Sequence, residues 1–336
     1  MMRILCITIC FWAMLLISCR NCGDKKTPSE EPADTSTSLA GKGHNNVARL
    51  NIPLIVDGEN DIVPAHRYAL LVGISDYHAL DKGSEWHDIH GADDVAMLSA
   101  TLKEQGFDVE TLTNGEATFG NITAKLGEIG RSAREGSVVL LHFSMHGQPF
   151  EDLDGDEAMN SPDDYWDESL VPIDAALSYE KGVYEGDNHL TDDILSSYVE
   201  KIRRRIGADG HVVVTLDACH AGSSSKGAGE NYIRGTKKAF SPSGRRYDQK
   251  RDTVVFNILH DSPDCSHVTY IEACTSTEVN TEINIGGRWY GALSYYINEE
   301  LRRSPLGISR QWIVRLASAY GQGVRHRQSL VVECSR

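Results

Sequence analysis

Positive charge is scarce in this chain. Its 336 residues carry 33 Lys and Arg against 48 Asp and Glu, a formal net charge of −15. A nucleic-acid partner is therefore not expected, because neutralising phosphates takes clustered Lys and Arg. From Gly147 to Glu180 there is no Lys or Arg at all. Long apolar runs are missing too: the stretch from Ile4 to Ile17 falls short of the ~20 residues that a membrane-spanning helix needs. Internal repeats are absent. Cys219, Cys265, Cys274 and Cys334 show no CxxC spacing and no short-range disulfide framework, so a reactive thiol is available among them. The rest is ordinary. Hydrophobic residues make up 40% and charged ones 24%, which suits one or two globular domains with a substantial core.

The N-terminus differs in kind. Arg3 precedes the apolar stretch, which stops at Ser18-Cys19-Arg20, the pattern of a secretory signal peptide over residues 1–18. Leu16-Ile17-Ser18-Cys19 also resembles the bacterial lipobox. That resemblance implies lipidation of Cys19 and an exported protein anchored to a membrane, at the outer membrane or facing the periplasm; cleavage without lipid is the alternative. Residues 19–64 begin with a tether rich in Ser, Thr, Pro, Gly and charge, which cannot bury enough apolar area to order itself. A short apolar stretch, Leu50–Val56, is a candidate edge strand.

From Arg67 onward, short β-branched runs alternate with amphipathic stretches. Tyr68–Ile74, Asp108–Leu112, Ser137–Phe143, His211–Leu216, His267–Ile271 and Leu330–Val332 read as strands. Ala92–Gln105, Ile122–Arg134, Leu190–Arg204 and Gly291–Leu301 read as helices. Near-continuous apolar strands between helices imply an α/β fold, with a central, mostly parallel sheet flanked by helices on both faces.

In such sheets functional groups gather beyond the carboxyl ends of the strands. Ser137–Phe143 runs into Ser144-Met145-His146-Gly147, and His211–Leu216 runs into Asp217-Ala218-Cys219-His220. Adjacent parallel strands would bring His146 and Cys219 to the same edge, where an imidazole can deprotonate a thiol to the nucleophilic thiolate. Backbone N–H groups near Gly147 and Cys219 would receive a developing oxyanion. His220 is the rival base and Cys274, also at a strand end, the rival nucleophile.

The blocks S-M-H-G and D-A-C-H-A-G resemble the S-G-H-G and D-x-C-H-S-G blocks of metacaspases, with Met145 in place of a glycine. R-Y-A-L-L-V-G-I near the start and G-A-L-S-Y-Y-I near the end extend the resemblance from about Arg67 to Leu301. It implies a caspase-like (caspase–hemoglobinase) sandwich over residues 65–336 and a cysteine endopeptidase with Cys219 as nucleophile and His146 as acid/base. By the same resemblance Asp94, Ser144 and Asp217 form an acidic pocket for a substrate Arg or Lys, with Asp93 the near-rival of Asp94. Two carboxylates and a hydroxyl suit a guanidinium's donors.

The lysine-free stretch after Gly147 is crowded with acids, and hard oxygen ligands suit Ca²⁺. The resemblance points to Asp167, Asp192 and Asp193 as calcium ligands, while a fourth family acid is missing from Ser223–Gly229. No cofactor is required for the chemistry itself. Residues 222–251 are Gly- and Ser-rich and hold eight Lys and Arg, including Arg234, Lys237 and Lys238. They read as a flexible basic loop beside an acidic pocket, an autocleavage target or pocket plug. The expected partners are protein or peptide substrates with Arg or Lys at the cleavage site, and a monomer is expected. Two other readings stand beside this one: a clostripain- or gingipain-like peptidase, and a non-catalytic binding module that keeps the fold.

Overall fold

A run such as Val138–Ser144 (VVLLHFS) has no polar alternation, so it is stable as a strand only when both its faces are covered. Several such runs in one chain force a layered arrangement, and the computed structural model has it. It describes residues 66–155, 165–220, 232–248, 256–259, 264–304, 309–325 and 327–335. The signal segment 1–18, Cys19, the tether 19–64 with Leu50–Val56, and the acids Asp156, Glu157, Asp163 and Asp164 lie outside these residues. So do the two ends of the basic loop.

The main sheet has seven strands in the order β2-β1-β3-β7-β9-β12-β8. They are β1 (Arg67–Gly73), β2 (Asp108–Thr113), β3 (Val138–Ser144), β7 (His211–Asp217), β8 (Phe256–Leu259), β9 (His267–Glu272) and β12 (Val331–Ser335). Pairing from β2 through β9 is parallel, whereas β12 runs antiparallel to β9. Helices α2 (Phe119–Ser132) and α3 (Asp192–Ile206) bury Ile122, Leu126, Leu195, Val199 and Ile202 against one face. Helices α1 (Gly91–Glu104), α4 (Ala292–Arg303) and α5 (Arg310–Gly323) bury Leu98, Leu102, Leu293, Ile297 and Leu316 against the other. No helix among the described residues is long and apolar enough to cross a membrane.

Periodicity found six of the seven main strands and four helices, and missed β8 and the 14-residue helix α5. It also missed β4 (His146–Glu151), β5 (Trp166–Val171) and β6 (Leu190–Thr191), which form a small antiparallel sheet. β10 (Ile283–Ile285) and β11 (Arg288–Tyr290), likewise unread, form a hairpin. Helix α3 also starts two residues later than the apolar pattern suggests, because Thr191 caps it: its Oγ1 accepts the Ile194 N–H.

Candidate active site

β3 and β7 are neighbours in register, Ser144 opposite Asp217, so the residues that follow both strands emerge at one edge. Leaving β3, the chain turns through Met145 into β4 and delivers His146 and Gly147. Leaving β7, it delivers Ala218, Cys219 and His220. Met145 does not enter the cleft. Its side chain is fully buried in the cluster with Phe143, Leu170 and Val171, and glycine is needed only two residues further on, at Gly147.

His146 is held from several sides. Its N–H donates to Tyr77 Oη at 2.9 Å, its ring stacks on Trp86 at 5.1 Å, and Nε2 donates to the His87 carbonyl at 2.8 Å. With the proton on Nε2, Nδ1 presents a lone pair, and that buried atom makes no hydrogen bond among the described residues. Burial, and then the neighbouring His87 ring, hold the imidazole well below its ordinary pKa, so it is neutral. A neutral ring with an open lone pair is what a general base requires.

Cys219 is almost fully buried, its thiol donating to the Glu278 carbonyl at 3.2 Å and packed against Cys274. The two rivals are placed differently. Cys274 is pushed well above its ordinary pKa by its hydrogen bond to Cys219 and then by burial, so it remains a thiol. His220 Nδ1 pairs with Glu168 at 3.1 Å. Burial alone would lower the His220 pKa, but the Glu168 carboxylate raises it to about 9, so it is an imidazolium at neutral pH and cannot accept a proton. That pair links stability to pH. Its contribution from His220 is complete below 6.5 and lost as pH rises through about 9. Glu168, held below its ordinary value despite burial, loses its share as pH falls. The thermal midpoint of the wild type is therefore expected to decline between pH 6.5 and 9, and His220→Gln to flatten that decline; parallel curves would refute the pairing.

The basic stretch does not hang beside this site; part of it runs through. The Arg234 carbonyl accepts the N–H of Gly147 at 3.2 Å and the N–H of Cys219 at 3.0 Å. A Cβ on Gly147 would sit 2.6 Å from the Cys219 carbonyl oxygen, so only glycine lets the two strand ends close on one oxygen. The segment is also hydrogen-bonded as a short antiparallel strand. Arg234 N–H donates to the Asn280 carbonyl at 3.1 Å, and Glu282 N–H donates to the Tyr232 carbonyl at 3.0 Å. What looked flexible from composition is, over residues 232–248, ordered by backbone pairing and by one buried cation.

That cation is the Arg234 guanidinium, with no exposed surface. Nη2 donates to Asp94 Oδ2 at 2.7 Å and Glu282 Oε1 at 2.9 Å; Nη1 donates to Ser144 Oγ and lies 3.9 Å from Asp217 Oδ1. The structure thus brings Asp94, Ser144 and Asp217 around one guanidinium and adds Glu282. Asp93, on the exposed side of α1, takes no part. Three carboxylates face one arginine, and the balance is uneven. His90 Nδ1 lies 2.5 Å from Glu282 Oε2, and this bond raises the His90 pKa. Asp217 is held low: burial opposes its ionisation, but Arg234, Asn280 and Ser294 outweigh it. Asp94 is left over; burial raises it to about 7 although Arg234 pulls the other way.

Glu282, His90 and the His87 carbonyl were not legible in the sequence. Glu282 belongs to no motif, and a backbone carbonyl gives no residue-type signal. Of the acids named for calcium, Asp167 is buried on β5, while Asp192 and Asp193 are exposed at the start of α3. Among the described residues, the three metal-type ligand atoms that converge within 4.8 Å belong to Asp76, His78 and Asp88.

Comparison with known proteins places the arrangement. Metacaspase III c of Phaeodactylum tricornutum is 30% identical over 201 residues, 55% of this chain and 53% of that protein. Metacaspase-1A of Aspergillus niger is 23% identical over 278 residues, 71% of this chain and 63% of that protein. The chain thus spans from about half to under two thirds of these relatives' lengths. A crystal structure of a Geobacter sulfurreducens protein superposes with a TM-score of 0.55 at 18% identity, covering 80% of this chain and 93% of the other, which shows a shared fold. The model of the caspase-domain family, Peptidase_C14, matches residues 66–305, a span that includes every element delivering His146, Cys219 and Arg234 to one another, and the chain belongs to that family.

Proposed function

We propose that this chain is a cysteine endopeptidase that cuts after basic residues through Cys219 and His146, and that its first substrate is its own Arg234–Gly235 bond. One observation carries the reading: the Arg234 carbonyl lies between the Gly147 and Cys219 N–H groups while its guanidinium rests on Asp94, Ser144 and Glu282. This placement supports reading the segment as a bound substrate.

The chemistry follows from these positions. The Cys219 thiol gives up its hydrogen bond to Glu278, passes its proton to His146 Nδ1, and the sulfur attacks the Arg234 carbonyl carbon. The negative charge that forms on the carbonyl oxygen is met by two N–H donors already aimed at it. His146 then returns the proton to the Gly235 nitrogen as the C–N bond breaks, leaving a thioester on Cys219. Water, deprotonated by His146, hydrolyses the thioester and frees the Arg234 carboxylate. Departure of the segment opens the acidic pocket to an Arg or Lys of another protein. Arginine is favoured over lysine, since its planar fork reaches carboxylates on two sides at once.

Purified full-length protein is expected to convert into two fragments whose masses place the cut between Arg234 and Gly235. Cleavage at any other bond, or none, would overturn the self-substrate reading. Calcium dependence is carried by the resemblance alone, and the same assay run in EGTA and in added CaCl₂ decides it: equal rates remove calcium from the account.

A further inference from the structure

The contacts that seat Arg234 continue along the chain in both directions. The antiparallel pairing with residues 280–282 puts Tyr232 and Arg234 on the same side of the segment, because alternate residues of an extended strand share a face. Arg234 enters the acidic pocket. Tyr232 meets two aromatic edges: the His90 ring at 4.6 Å and 88°, and the Trp289 ring at 5.2 Å and 69°. Both spacings and angles are those of edge-to-face pairs. The two positions share a wall, since Glu282 bonds Arg234 through Oε1 and His90 through Oε2. Between them, the Ile233 carbonyl accepts the His87 Nε2–H at 2.9 Å, a contact that any residue type at that position could make.

On the other side of the scissile bond, space is the constraint. A Cβ added to Gly235 would lie 1.8 Å from the Cys219 carbonyl oxygen and 2.7 Å from its carbon. Both obstacles are backbone of the nucleophile itself, which cannot move without displacing the N–H that holds the carbonyl. Beyond Tyr232, by contrast, the cleft is open. His90 and Trp289 also line a groove of about 700 Å³ between α1 and the β10–β11 hairpin.

We infer that the cleft selects proteins presenting an aromatic residue two positions before the cleaved arginine and a glycine directly after it, with His90 and Trp289 as the specificity-determining pair. This rests on the reading of Arg234–Gly235 as a bound substrate. The self-cleavage segment is then a template for the sequences cut in trans.

The test uses self-cleaved full-length protein and three internally quenched peptides. One carries tyrosine-isoleucine-arginine-glycine, the second has alanine for tyrosine, and the third has valine for glycine. Two ring contacts of this kind predict that the tyrosine peptide exceeds the alanine peptide about tenfold in kcat/KM. The valine peptide is expected to fall by about a hundredfold, as overpacking against fixed backbone dictates. Trp289 stands on an exposed hairpin, so Trp289→Ala is expected to fold, and it should bring the tyrosine-to-alanine ratio down towards one. Equal rates for the tyrosine and alanine peptides, or an unchanged ratio in Trp289→Ala, would overturn the aromatic subsite while leaving arginine specificity standing. Equal rates for the glycine and valine peptides would overturn the glycine requirement. If no arginine peptide is cut, the endopeptidase reading fails and this inference with it.

Discussion

Cys219→Ala is expected to remain a single uncut chain and to lose at least about 10⁴-fold in kcat/KM on an arginine peptide. The reasoning is geometric. Donors for the developing oxyanion are backbone N–H groups and survive the substitution, so the Arg234 segment stays seated, but no atom remains that can form the thioester. His146→Ala should lose nearly as much, and the double variant little more than either single one, because nucleophile and base act as a unit. The readouts are gel mobility after prolonged incubation and initial rates on the peptide. Conversion of Cys219→Ala at the wild-type rate would return the chain to the binding-module reading.

Arg234→Ala tests the plug from the opposite side. In the wild type, Asp94, Asp217 and Glu282 are buried around one guanidinium. Removing the cation leaves three carboxylates facing one another in a space closed to water, with only His90 nearby to offset Glu282. Breaking a buried pair of this kind costs about 3–5 kcal/mol, which for a domain of this size lowers Tm by roughly 5–10 °C. Arg234 holds Asp94 down at about 7, so without it Asp94 takes up a proton at higher pH, and the loss should shrink as pH falls towards about 7. The same variant is expected to resist self-cleavage at position 234. Arg234→Lys keeps the charge without the fork and should be cut more slowly, with a smaller loss of stability. A wild-type Tm in Arg234→Ala would mean that the buried network contributes nothing to the uncut fold.

The two expectations divide the labour of this site. Cys219 and His146 belong to the sheet edge and would be present in any open α/β arrangement with these strands adjacent. Arg234 belongs to the chain between β7 and β9, and its seat is built from four separate stretches: α1, β3, β7 and the segment before β10. On the proposed function, the Arg234 guanidinium occupies the place that another protein's arginine would take.

How much of this could be read in advance depends on the range of each signal. Local patterns were sufficient for six of the seven main strands, the helices α1, α2, α3 and α4, and the two blocks that deliver His146 and Cys219, but not for β8 or α5. β-branched runs and helical spacing act over neighbouring residues, and a motif names its residues by type. Composition misled where it stood in for structure. The basic stretch has no period, yet residues 232–236 are fixed by backbone hydrogen bonds to Gly147, Cys219, Asn280 and Glu282, to which side-chain composition is blind. Met145, which stands in place of a glycine in the motif, is a core side chain.

The sequence by itself determined the fold class, the chemistry-bearing pair and three of the groups around the guanidinium, Asp94, Ser144 and Asp217, since each lies within a run or motif that local physics can shape. Only the tertiary structure decided that Glu282 and His90 complete that cluster, that the His87 carbonyl holds the His146 ring, and that Arg234 fills the cleft. Those are contacts between stretches separated by tens to hundreds of residues, and their free energy exists only once the sheet has brought the strand ends together.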